Sequence, residues 1–159
     1  MRKELRLKGY DYSQAGCYFV TVCIKDAHEL LWEAPVGANC VRPPISSVGQ
    51  LIESEIHRLS ATYPCVSVNK YVIMPNHLHF ILVISSTDNS AHGGRTQFAP
   101  TIGRIIKQFK GAITKQLGYS IWQRSFHDHI IRDDTEYQKI CHYIDQNPAK
   151  WTEDRYYIK

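Results

Sequence analysis

Four side chains in two short stretches have the types and spacing for metal-assisted chemistry. His77 and His79 lie one residue apart within YVIMPNHLHFILVI, residues Tyr71 to Ile84. Successive side chains of a strand point to opposite faces, so both imidazoles share one side of it. Leu78, Phe80, Leu82 and Ile84 then fill the other side. Neutral imidazole is a common metal ligand, and two on one rigid strand make half a site. The competing reading is a pair of hydrogen-bonded core histidines. The second stretch is DDTEYQKICHYIDQNP, where Tyr143 and Asn147 are four residues apart. On a helix that spacing stacks a phenol and an amide one turn apart on one surface. If that surface faces the histidines, two imidazoles, an amide oxygen and a nucleophile converge. The plainer alternative is a packed tyrosine and a polar residue closing a helix before Pro148.

The elements that must hold these groups follow from local pattern. CYFVTVCI, Cys17 to Ile24, is aromatic and β-branched and predicts a strand. Residues 25–47 are irregular, with short strands expected at Leu30–Trp32 and Cys40–Arg42. Ser47 is the expected cap of a helix through Val48, Leu51, Ile52, Ile56 and Leu59, which fails by Tyr63–Pro64. Cys65 to Met74 and His77 to Ile84 read as two strands joined by a tight turn at Pro75–Asn76. Residues 85–100, SSTDNSAHGGRTQFAP, predict a flexible loop. Thr101 can cap a helix from Ile102 to Leu117, ended by Gly118. A strand or extended segment is expected from Ile121 to Ile131. Asp133 with Glu136 starts a last helix, and Pro148 stops it. The order strand, helix, strand, strand, helix, strand, helix is the α+β, ferredoxin-like βαββαβ pattern with a C-terminal helix appended. The tyrosine lies on that appended helix, and the sheet face away from the other helices is free for a site.

Composition sets the limits. With 159 residues and 43% hydrophobic content, a single domain over 1–159 is the simplest reading. The net charge of +4 leans weakly toward a polyanionic partner. No apolar run reaches the roughly 18 residues that span a bilayer, and the N-terminus lacks a signal-peptide core. Five cysteines without a CxxC pair fit reduced thiols in the cytoplasm. Arg104, Lys107 and Lys110 form a basic face behind the apolar stripe of the second predicted helix, next to Arg95 in the loop. They are phosphate contacts or an ordinary solvated face. His127-Asp128-His129 is a second His-x-His, read as structural or, with Arg124, as DNA-contacting. His28, His57, His92 and His142 read as ordinary surface or helix residues.

HLH after MPN, within an apolar run, resembles the His-hydrophobic-His signature of the HUH single-tyrosine transposases, and most closely their REP-associated branch. The resemblance extends to YDYSQAGCYFVTVCI, IGRIIKQFKGAITK and IWQRSFHDHIIRDDTEY…YIDQNPAKW, in that order, and so spans nearly the whole chain. It implies that His77 and His79 are metal ligands, Asn147 the polar third ligand and Tyr143 the nucleophile. It implies Mg²⁺ or Mn²⁺ as cofactor and single-stranded DNA hairpins as substrate. Cleavage and rejoining would pass through a covalent 5′-phosphotyrosine, with the chain acting as a monomer or homodimer. No nucleotide cofactor is expected, and the sequence carries no G-x-x-x-x-G-K-[ST] loop. Two rivals stand beside this reading. One is a non-catalytic nucleic-acid-binding module on the same fold. The other is a metal-dependent phosphodiesterase that uses water.

Overall fold

The computed structural model describes residues 14–33, 43–86 and 100–158. The described chain runs β1 (Gly16–Cys23), α1 (Ser47–Thr62), β2 (Val66–Ile73), β3 (His77–Ile84), α2 (Ile102–Leu117), β4 (His127–Ile131) and α3 (Asp134–Gln146). A short 3-10 turn covers Lys25–Ala27, and a second, Pro148–Glu153, follows α3. The four strands form one antiparallel sheet in the order β2-β3-β1-β4, the ferredoxin-like arrangement. Most of the expected loop at 85–100, the expected strand at Cys40–Arg42, and Arg95 lie outside the described residues.

Alternation along β1 and β3 divides the sheet into two unlike faces. Tyr18, Val20 and Val22 of β1 and Leu78, Phe80 and Leu82 of β3 are fully buried in the main core. They pack against Ile52 and Ile56 of α1 and Ile105, Phe109 and Ile113 of α2. The opposite face carries a smaller apolar cluster of Ile81, Ile131 and Ile144, with Phe19, Tyr137 and Ile140 against it. α3 rests there, so the face expected to be free of helices is partly covered by the helix that carries Tyr143.

Two sequence-derived boundaries need correction. α1 is capped by Ser46, whose Oγ accepts from the Gly49 amide at 3.1 Å, and Ser47 is already helical. Both residues are serines in the right place, and only Ser46 has extended backbone. The segment expected as one strand from Ile121 to Ile131 is broken. Trp122 bridges Ile24, and the Gln123 amide donates to the Cys23 carbonyl at 2.9 Å. Regular pairing then resumes only at His127. At the break Lys110 Nζ donates to the carbonyls of Gln123 and Ser125, at 2.9 and 2.8 Å, which ties the segment to α2. Thr101 and Gly118 flank α2 as expected, with Gly118 at φ 80°. Of the expected strand at Leu30–Trp32, only a single bridge from Trp32 to Ile45 forms.

Gly49 marks where α1 meets the loop before it. A Cβ there would lie 2.6 Å from the Leu31 carbonyl oxygen and 2.9 Å from Ile45 Cβ. A Cβ at Gly111, in the middle of α2, would meet nothing within 4 Å among the described residues. Gly49→Ala should therefore destabilise the protein by about 1–3 kcal/mol through overpacking. Gly111→Ala should stabilise it by about 0.5–1 kcal/mol, because alanine loses less entropy in a helix. Urea denaturation of the two variants checks both signs, and a stable Gly49→Ala would contradict the packing.

Candidate active site

β3 delivers the histidines. In the β1–β3 register Thr21 lies opposite His79 and Cys23 opposite His77. Both imidazoles are fully buried on the α3 face, and their Nε2 atoms approach to 3.0 Å. Each Nδ1 has a fixed neighbour. Thr21 Oγ1 is 2.8 Å from His79 Nδ1, and Asn76 Oδ1 is 2.9 Å from His77 Nδ1. Asn76 is held in turn, its Nδ2 donating to the carbonyls of Ala27 at 3.3 Å and Tyr156 at 2.9 Å. That orientation leaves only its oxygen for His77, so His77 carries its proton on Nδ1 and its Nε2 is a bare lone pair.

α3 delivers the phenol. Its N-terminus is capped by Asp133, which accepts from the Glu136 amide at 2.8 Å. Tyr143 stands 41% exposed near its C-terminal end. The Tyr143 hydroxyl is 3.3 Å from His79 Nε2, and its ring meets Phe19 edge-on with centroids 6.1 Å apart. Phe19 also stacks on His79, at 5.1 Å and 25°. Asn147, one turn on, is buried and closes the helix, its amide N–H donating to the Tyr143 carbonyl at 3.0 Å. The Nδ2 of Asn147 is buried and has no hydrogen-bond partner among the described residues.

Beyond Pro148 the chain turns back and contributes Asp154, a residue with no signal of its own in the sequence, inside a tail that reads only as aromatic and charged. Asp154 Oδ1 accepts from the Tyr156 amide at 2.7 Å. Its Oδ2 accepts from the Tyr143 hydroxyl at 3.4 Å. One ligand atom each from His77, His79 and Asp154 lie within 4.8 Å of one another. Two neutral imidazoles and a carboxylate converging in this way are a donor set suited to a divalent cation. Nothing in the local sequence marks Asp154, because its place depends on the 3-10 turn reversing the chain. Asn76 was legible only as a turn residue.

Electrostatics favour uncharged imidazoles. Burial, with Arg155 as a lesser cause, pushes His77 from its ordinary 6.5 down to about 3. His79 is held well below 6.5, by burial first and then by His77 and Arg155. Burial and then the Asp154 charge raise the Tyr143 phenol. Tyr156, whose ring lies 4.4 Å from His77, is pushed up to about 12, mainly by burial. Trp151 lies behind His77 at 6.0 Å and closes the aromatic wall.

The remaining sequence-derived residues lie elsewhere. His127 and His129 are exposed on edge strand β4, aligned with Thr21 and Phe19 of β1. His129 pairs with Glu136 at 2.6 Å, so this second His-x-His is separated from the first by β1. Arg104, Lys107 and Arg124 are exposed, while Lys110 is half-buried and bound to two carbonyls. His57 contacts the Tyr71 hydroxyl at 3.3 Å on the other side of the sheet's edge.

The buried pair makes stability of the cation-free protein pH-dependent. Folded His77 and His79 take up protons at lower pH than the unfolded chain. Their contribution is therefore intact above about pH 6.5 and is lost as pH falls toward the folded values. Chelator-treated protein should lose urea resistance between pH 7 and 4, and a His77→Gln, His79→Gln double variant should lose distinctly less. Equal losses would contradict burial of the neutral pair.

No family model matches the chain. A Haemophilus influenzae protein described as uncharacterized is 30% identical over 172 residues, covering 99% of this chain and 93% of the relative. The REP-associated tyrosine transposase of Escherichia coli is 25% identical over 139 residues, covering 87% of this chain and 70% of that protein. In fold, the chain resembles a solved REP-associated tyrosine transposase bound to a REP hairpin, with a TM-score of 0.66 and 22% identity. That match covers 92% of this chain and 74% of the other. The name carried by the 25%-identical relatives, the fold and the convergence of HLH with a C-terminal tyrosine agree: the chain belongs to the REP-associated branch of the HUH single-tyrosine transposases.

Proposed function

We propose that this protein is a metal-dependent transposase and endonuclease of single-stranded DNA, which cuts and rejoins strands at hairpin-flanked sites with Tyr143 as nucleophile. The observation that carries the reading is the Tyr143 hydroxyl 3.3 Å from His79 Nε2, itself 3.0 Å from His77 Nε2. A water-using phosphodiesterase would not require a phenol there. A binding module would require neither the phenol nor buried imidazoles without charge.

His77 and His79 would hold the cation, with the third donor from Asp154 or, as the family resemblance implies, from Asn147. The family resemblance implies Mg²⁺ or Mn²⁺, which when bound would polarise the scissile phosphate and offset developing charge. Tyr143 does the covalent work. Its oxygen forms a bond to phosphorus, the bond to the 3′ oxygen breaks, and a 5′-phosphotyrosine and a free 3′-OH result. The phenol is raised above its ordinary value, so it needs a base, and Asp154 Oδ2 at 3.4 Å is in position to take the proton. The rotation of the phenol is limited by Phe19. Attack by a second 3′-OH reverses the bond changes without a nucleotide cofactor.

DNA phosphates are assigned to Arg104 and Lys107 on the exposed side of α2, with Lys110 beside them as an anchor of the Gln123–Ser125 segment. Arg124, His127 and His129 line the β4 edge, across β1 from the histidine pair. Arg95, outside the described residues, is proposed as a DNA contact from the sequence alone. Cys17, Cys23, Cys65 and Cys141 are free thiols, which supports a cytoplasmic setting. Among the described residues no helix is long and apolar enough to cross a membrane. A monomer carries all the named groups in one chain, and a homodimer is the alternative assembly.

Incubation with labelled single-stranded hairpins and Mn²⁺ should yield a covalent adduct that mass spectrometry maps to Tyr143. Tyr143→Phe should abolish it and Tyr156→Phe should not, and an adduct on Tyr137 or Tyr156 would sink the assignment. His77→Ala or His79→Ala should remove cleavage while leaving much DNA affinity, since binding rests largely on phosphates and stacking. Replacing Arg104 and Lys107 by Ala should lower the salt slope of log K by about 0.7 for each phosphate that is no longer neutralised. An unchanged slope would make that face ordinary surface.

A further inference from the structure

Thr21 is an unusual neighbour for a candidate ligand, because its hydroxyl can either donate or accept. Which it does is fixed by the chain of bonds on the far side of His79. Asn76 makes His77 Nε2 a bare acceptor. Without a cation, that lone pair needs a donor, and the atom at 3.0 Å is His79 Nε2. His79 therefore carries its proton on Nε2 in the free protein, and its Nδ1 is the acceptor. Thr21 must then donate across the 2.8 Å contact. The same proton on Nε2 lies 3.3 Å from the Tyr143 oxygen, whose own O–H points to Asp154. Every group in the chain Asn76, His77, His79, Thr21 is satisfied in this one arrangement.

A cation cannot be bound in that arrangement, because both Nε2 atoms must present lone pairs. Resting on the metal reading above, we infer that Thr21 is a positioning residue whose hydroxyl reverses from donor to acceptor as His79 moves its proton from Nε2 to Nδ1 on cation binding. The proton balance is simple. One proton leaves Nε2, one arrives at Nδ1 by exchange through solvent, and His79 stays neutral with no net release. Thr21 is 2% exposed and His79 fully buried, so bulk water is poorly placed to stand in for the hydroxyl as Nδ1 partner. The contact is set by strand pairing, since Thr21 and His79 are direct partners in the β1–β3 ladder. Valine at 21 keeps the β-branched shape but leaves Nδ1 without a partner in both states, as a bare lone pair in the free protein and as a buried N–H without an acceptor in the loaded one, the second being the costlier.

The test uses the full chain with ¹⁵N-labelled histidine, first freed of metal and then with saturating Mg²⁺. Two-bond ¹⁵N–¹H correlations report which ring nitrogen carries each proton. His77 should be protonated on Nδ1 in both states, and His79 should change from Nε2–H to Nδ1–H. Calorimetry with Mn²⁺ should show Thr21→Val binding about 10–100-fold more weakly than wild type, with Thr21→Ser restoring most of the affinity. Thermal melts of the cation-free variants check that each folds, and the wild-type spectra decide the matter if Thr21→Val does not. A wild-type protein that binds Mg²⁺ with His79 in one tautomer throughout, or a Thr21→Val protein that binds Mn²⁺ like wild type, would overturn this inference alone. A wild-type protein that binds neither cation would overturn the metal reading and this inference with it.

Discussion

The antiparallel pairing of β3 with β1 is the constraint from which the rest follows. Its register sets His79 against Thr21 and His77 against Cys23. The same alternation sends Leu78, Phe80 and Leu82 into the main core. A slip of one residue would put the imidazoles among Phe109 and Ile105 and expose the large apolar side chains. Stability of the core and placement of the site are therefore one specification. The turn before β3 is fixed independently of it. Ile24 N–H donates to the Asn76 carbonyl at 2.8 Å, Leu31 N–H to the Pro75 carbonyl at 3.0 Å, and Trp32 Nε1 to the Ile73 carbonyl at 2.8 Å.

The other half of the site is held less firmly. α3 rests on a small cluster around Ile81, Ile131 and Ile144. Polar contacts add to it, with Lys70 Nζ 2.7 Å from Asp145 Oδ2 and Asn69 Nδ2 3.3 Å from the Tyr137 hydroxyl. The ion pair is solvent-facing and worth at most about 1 kcal/mol. The chain after α3 makes up the difference. Trp151 packs near Trp32 and His77, and the Tyr156 carbonyl accepts from Asn76. Asp154 and the histidine support are thus tied to the same return of the chain. Tyr143 stands on an element anchored by its tail as much as by its own apolar stripe.

Most of the fold was legible because its signals are local. Aromatic and β-branched residues gave β1, an apolar run gave β3, and Thr101 with Gly118 bounded α2. The order of elements sufficed for the ferredoxin-like topology. The break in the strand expected from Ile121 was hidden, because it depends on Lys110, which is distant in sequence and captures two carbonyls. HLH and Tyr143 were legible as chemistry, but their convergence was not, since nothing local states which sheet face α3 covers. Asp154 escaped for a stronger reason. A carboxylate in a tail has no periodicity, and its position comes from the turn at Pro148–Glu153 and the bond from the Tyr156 amide. Thr21 looked like any β-branched strand residue until the register paired it with His79.

The central claim is that one cation, one phenol and two buried imidazoles share a single centre. Anomalous diffraction from crystals grown with Mn²⁺ addresses it directly. A peak within coordination distance of both His77 Nε2 and His79 Nε2, with the Tyr143 hydroxyl facing it, is the expected result. A peak at His127 and His129, or a cation at the first pair with Tyr143 turned out to solvent on a displaced α3, would contradict it.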